Sequence, residues 1–231
     1  MDDVLNFQNA LESACSAAKS EGLFYDKEVQ AFVRGQCDAQ DPVCDNHLGI
    51  REIPYGLPQE RLAREAVEAE VKAAPRGTWA TLRRSYERDG REHVFYNVAF
   101  SDGLGEIAVG SKHDNLSEPP TFEAVYDRVL GYEIYLARQR VDAADRLRSN
   151  REAIESGRVH VGAVFKEVKV NSIAFSKAEV VSVDPDKGEA RVRLTKRGSR
   201  KRLEANVPAA GLSPAPKAAP EEPAPGGAPS A

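Results

Sequence analysis

Between Lys196 and Arg202, five cations (Lys196, Arg197, Arg200, Lys201 and Arg202) fall within seven residues that also hold Gly198 and Ser199. A basic run at a tight turn attracts phosphates, because each neutralised phosphate releases condensed counterions. Arg191 and Arg193 just upstream, with Lys166, Lys169 and Lys177 further back, widen this candidate nucleic-acid surface. The competing explanation is an edge strand, where charged side chains block pairing with another chain. Aromatic residues in this stretch are limited to Phe165 and Phe175, so contact with the phosphate backbone is favoured over stacking on single-stranded bases.

A second concentration lies at Cys37 to His47, where two thiols, an imidazole and three carboxylates share 11 residues. Cys37, Cys44 and His47 are residue types that zinc accepts, with Cys15 or an aspartate as a fourth ligand. Six residues separate the two cysteines. Compact zinc sites use about two to four, so a surface loop with incidental cysteines is the favoured reading and no metal or other cofactor is assigned. The aspartate spacing also lacks the alternation and terminal glutamate of a calcium loop.

Signals for catalysis are poorer. A cysteine with His47, His93, His113 or His160 supplies the types for a nucleophile and base, but no local signature marks any pair. Gly110-Ser111-Lys112-His113 lacks the upstream glycines of a phosphate-binding loop, and Gly103-Leu104-Gly105 is a turn with no helix start behind it. The chain therefore reads as a binding protein more than as an enzyme.

These residues sit in a chain of 231 residues with a net charge of −4 that conceals a division. Residues 1–156 hold 19 basic and 28 acidic side chains, a net of −9, whereas residues 157–212 hold 12 and 6, a net of +6. Such asymmetry points to contact with a polyanion or an acidic protein, or to docking of the acidic part on the basic one. No apolar run reaches the roughly 18 residues of a membrane span, and the start lacks a basic, apolar leader. With three cysteines, an odd number, the expectation is a cytoplasmic chain with free thiols.

Periodicity supplies the elements. Residues 3 to 21 put Val4, Leu5, Leu11, Ala14, Cys15 and Ala18 near a helical stripe that Gly22 ends, and a shorter helix runs from Asp26 to about Gly35. Residues 36 to 56 read as a long irregular loop, followed by a helix from Pro58 to about Ala74. Val94, Tyr96, Val98 and Phe100 alternate, and the Asp89-Gly90 and Asp102-Gly103 turns on either side predict a three-stranded meander. Its first strand, TWATLRRSYE, also fits a helical face through Trp79, Leu82 and Tyr86. From Thr121 a helix of over 30 residues is predicted, with a kink at Gly131 and a stop at Gly157. Its arginines Arg138, Arg140, Arg146, Arg148 and Arg151 read as a solvated face paired with Asp142, Asp145 and Glu152.

From Val159 to Leu212, four or five short strands are joined by tight turns, including DPDKG and GSR. Their size and spacing resemble an SH3-like barrel of the Tudor or KOW kind, since closure removes exposed edges. The last stretch, SPAPKAAPEEPAPGGAPSA, is too poor in apolar residues to offset the entropy of ordering and reads as a disordered tail.

The expected architecture is thus α+β: an acidic helix-rich domain with a three-stranded meander (1–118), a long connecting helix (119–156), a basic small β-barrel (157–212) and an Ala/Pro tail (213–231). The expected function is a non-catalytic adaptor that binds DNA or RNA through the barrel. One alternative is a protein-interaction or structural module, such as an accessory protein of a phage or mobile element, whose barrel binds an acidic partner. The other is a small enzyme or zinc protein built on residues 37–47. Neither the membrane nor an oligomeric state is implied.

Overall fold

The structure, a computed structural model, describes residues 2–109, 118–199 and 201–212. The Gly110 to His113 segment, Arg200 and the stretch from residue 213 onward lie outside the described residues. Among the described residues the class is α+β, with four α-helices and two four-stranded sheets, and the chain divides between Val141 and Asp142 into two compact units.

In the first unit, α1 (Asp2–Ser20) and α2 (Asp26–Cys37) form a hairpin. Gly22, at φ 75°, reverses the chain between them, and the Leu23 N–H donates back to the Ala18 carbonyl. Phe7, Leu11, Ala14 and Ala18 are spaced at helical intervals on α1 and pack on Val29, Val33 and Cys37 of α2 and on Leu130, Ile134 and Ala137 of α4 (Phe122–Glu155). Phe7 takes the inward place on this stripe, whereas Leu5 is exposed.

The expected long loop instead contains a strand. Here β1 (Asn46–Glu52) pairs in parallel with β2 (Thr78–Arg88), and α3 (Gln59–Lys72) makes the crossover between them. Gly77 sits where that crossover returns, at φ 87°, with the Cys44 backbone so close that a Cβ would lie 2.3 Å from the Cys44 nitrogen. Strands β2, β3 (Arg91–Phe100) and β4 (Gly105–Ala108) follow as an antiparallel meander, so the expected three-stranded sheet is a four-stranded mixed one in the order β1-β2-β3-β4. One face is covered by Val67 and Val71 of α3 on Ala80, Leu82 and Ala99. The other packs Trp79, Val98, Phe100 and Ile107 on Val125 and Val129 of α4.

Helix α4 begins with the Thr121 hydroxyl accepting the Ala124 N–H and ends before Gly157, at φ 73°. It is unbroken at Gly131, where glycine gives room to Gln30 of α2: a Cβ there would lie 3.0 Å from Gln30 Nε2. Among the described residues no helix is long and apolar enough to cross a membrane.

The second unit overturns the expected barrel. Strands β5 (Val164–Val170), β6 (Ile173–Asp184), β7 (Glu189–Thr195) and β8 (Arg202–Pro208) form an open antiparallel sheet in that order, and β5 does not meet β8. Closure is unnecessary because other parts of the unit cover the apolar face. Ala153 at the end of α4, with Val159, Ala209 and Leu212, packs on Val168, Phe175, Ala178, Val180, Val192 and Leu194. Charge and irregularity guard the two edges: Lys166, Lys169 and a left-handed Glu167 on β5, Arg202 and Pro208 on β8. Gly188 lets the β6–β7 turn press onto α4, since a Cβ there would lie 2.7 Å from Asn150 Cβ.

Candidate nucleic-acid interface

Directly paired residues of an antiparallel ladder share a face of the sheet. The register therefore sets Lys166, Lys177, Thr195 and Arg202 in one row across β5, β6, β7 and β8. Val164, Glu179, Arg193 and Glu204 form the adjacent row, and Ser182, Arg191 and Asn206 the next. This is the side away from Ala178, Val180, Val192 and Leu194, which alternate inward to the core. Two-residue alternation thus delivers five cations from four strands to one solvent-facing surface.

Carboxylates neutralise part of it. Glu204 accepts from Arg191 at 2.8 Å and from Arg193 at 3.3 Å, and Lys177 lies 3.4 Å from Glu179. Lys166 and Arg202, exposed in the outer row, make no ion pair among the described residues, nor do Lys196, Arg197 and Lys201 beside them in the β7–β8 connection. That connection bends at Gly198, at φ 78°, and is closed by the Ser199 N–H donating to the Lys196 carbonyl and the Lys201 N–H to the Ser199 hydroxyl. The basic run read from the sequence is continuous with the outer row of the sheet, and Arg200 falls outside the described residues.

The Cys37 to His47 segment is dispersed. Cys37 closes α2 in the core beside Cys15, and burial pushes the Cys37 thiol above its usual range. Burial likewise pushes Cys15 up to about 11, so neither is a ready thiolate. His47 stacks on Trp79 with ring centroids 3.9 Å apart, and its Nε2 lies 2.9 Å from the Thr81 hydroxyl. Among the described residues no group of three or more His, Cys, Asp or Glu is arranged to hold a metal ion.

Two groupings escaped the sequence reading. Arg76, at the entry to β2, is buried with three carboxylates: Asp41 at 3.1 Å, Asp102 at 3.5 Å and Glu133 at 3.0 Å. Its guanidinium lies 4.5 Å from the centre of the Phe7 ring, and the Tyr126 hydroxyl donates to Asp41. One positive charge cannot neutralise three buried negative ones. Burial, and then the hydrogen bond it shares with Asp102, push Glu133 up to about 9 against the pull of Arg76. Burial also raises Asp41. Such perturbed groups often mark active sites. Here the four charged side chains are at most 8% exposed, so they tie four segments of the first unit together rather than meet a ligand.

The second grouping lies on the outer half of the β2–β3 hairpin, on the α3 side of the sheet but beyond that helix. Tyr86 pairs with His93, with ring centroids 5.2 Å apart and planes 15° from parallel, and stacks on Phe95 at 5.5 Å. Tyr55, before α3, approaches Tyr86 at 5.4 Å. Arg84, bonded to Glu60, also lies 5.7 Å from the centre of the Phe95 ring, while Arg88 and Arg91 face each other at the hairpin end. The signal was present as period-two spacing: Arg84, Tyr86 and Arg88 on one strand, Arg91, His93 and Phe95 on the other.

Comparison with family models, with curated proteins and with solved structures finds no match to this chain.

Proposed function

We propose that the protein is a non-catalytic nucleic-acid-binding adaptor whose second unit contacts the phosphate backbone through the open face of β5–β8. The observation that carries the reading is the row Lys166, Lys177 and Arg202, which spans the sheet and continues into Lys196, Arg197 and Lys201. Neighbouring strands lie about 5 Å apart, which sets Lys166 beside Lys177 and Arg202 two strands further on, so one surface can engage several phosphates. Base contacts are absent from this reading, because the surface presents charges and hydroxyls but no rings. Arg191 and Arg193, held by Glu204, and Lys177, beside Glu179, contribute less than the unpaired cations. The free thiols of Cys15, Cys37 and Cys44 suit a reducing compartment, and the cytoplasm is the proposed one.

The test is binding of labelled duplex DNA and structured RNA to the full chain across a salt series. Replacing Lys166, Lys177 and Arg202 together by alanine is expected to weaken binding to all sequences alike. The salt slope should fall by about 0.9 for each lost contact to duplex DNA. Unchanged affinity and slope would refute the reading, whereas capture of an acidic protein by the same surface would favour an interaction module.

A further inference from the structure

We infer that the outer half of the β2–β3 hairpin is a second binding surface, one that takes single-stranded nucleic acid by stacking bases on Tyr55, Tyr86, His93 and Phe95. The inference stands apart from the β5–β8 reading, since every residue it uses belongs to the first unit.

Three observations support it. The rings form a continuous ladder: Tyr86 is in contact with the other three, and its planes with His93 and Phe95 are within 15° of parallel. An added base extends such a ladder at its open faces, and stacking accepts any base because each has a π-face. The ladder is also accessible. Tyr55 is 67% exposed, and Tyr86, His93 and Phe95 are half-buried, so each keeps ring surface open to solvent.

Charge then selects the ligand. Arg84, Arg88 and Arg91 share the face of the rings, while Glu87 and Glu92, paired with each other across the strands, project from the opposite face. Arg84 is engaged by Glu60, and Arg88 lies 3.6 Å from Asp89 in the exposed turn. Arg91 makes no ion pair among the described residues. The hairpin end thus sets two arginines on the ring-bearing face, where the phosphates flanking a stacked base would lie. Duplex DNA hides its base faces and would gain only the phosphate contacts. This local basic surface sits in a region whose overall charge is negative, which is why composition concealed it.

The test compares a short fluorescein-labelled single strand with the matching duplex on the full chain. Wild type is expected to bind the single strand more tightly. Combining Tyr55→Ala with Tyr86→Leu, which keeps apolar bulk over the sheet, should weaken single-strand binding by about fivefold or more and leave duplex binding unchanged. Arg88→Ala with Arg91→Ala should reduce its salt dependence. If Tyr86→Leu unfolds the chain, Tyr55→Ala alone still decides, because that side chain is largely in solvent. The triple alanine variant of the β5–β8 face should retain the single-strand preference. Equal binding of single strand and duplex by the triple alanine variant of the β5–β8 face, or ring variants that bind the single strand as wild type does, would overturn the inference. So would a proline-rich peptide that saturates these rings while no single strand binds.

Discussion

Arg76 and Glu133 meet 3.0 Å apart, side chains 3% and 8% exposed, with both carboxylate oxygens of Glu133 accepting from one guanidinium nitrogen. The pair is part of a group with more acids than the guanidinium can balance. A proton on Glu133 removes one of the two excess negative charges.

Glu133→Gln should therefore flatten the dependence of stability on pH. The carboxyl titrates near 4.5 when exposed and is pushed up to about 9 in the fold, so the folded state keeps a proton that the unfolded state releases. Its contribution is full below the unfolded value and is lost as pH rises through the folded one. Glutamine holds its donor at every pH. Melting temperatures measured from mildly acidic to alkaline pH should fall less steeply in the variant. Parallel curves would mean that the proton is not there.

Arg76→Met should be far more costly. It fits the stem of the arginine but leaves Asp41, Asp102 and Glu133 together without a cation, a situation that costs about 3–5 kcal/mol. Urea unfolding at neutral pH measures it, and part of the loss should be recovered at low pH, where the carboxylates take up protons. A loss below about 1 kcal/mol would put the cluster among weak surface pairs.

Gly77→Ala tests the return of the parallel crossover. Its new Cβ would meet the Cys44 backbone at 2.3 Å, and φ is 87°. Gly90→Ala is the control, because Gly90 also has a positive φ, 69°, but nothing within 4 Å of the added carbon. The control should cost about 1 kcal/mol from backbone strain and Gly77→Ala clearly more, since backbone cannot yield as a side chain can. Equal costs would show that Cys44 moves freely aside.

Elements defined by local pattern were legible in the sequence. The α1 stripe, the Thr121 and Gly157 limits of α4, and the two Asp-Gly turns are set by residues within a few positions of one another. What depended on distant partners was not. β1 has little alternation of its own, and its partner strand lies beyond a whole helix, so NHLGIRE read as loop. Turn chemistry showed that β5 to β8 follow one another but not whether the ends join; Ala153, Val159 and Leu212 decided that by covering the apolar face. The basic row was legible as a cluster at its β7–β8 end, while Lys166 and Lys177 needed the register. The aromatic ladder stayed hidden because Trp79, Leu82 and Tyr86 also fit a helical face. Arg76 has no local signal at all: its acids come from a loop, a turn and a helix.

The boundary between the two units falls at Val141 and Asp142, inside α4 and not in a loop. The last turns of that helix belong to the second unit's interior, through Ala153, through Asn150, which accepts the Ala210 N–H, and through Arg151, which donates to the Pro185 and Asp186 carbonyls. A gene fusion or recombination event that joined this module to another at Gly157 would strip it of its own lid. Inheritance of the module as a functional part therefore requires that some 14 residues of helix travel with it, from Asp142 to Glu155. That is a stricter condition on its evolutionary mobility than the flexible linkers that usually separate domains impose.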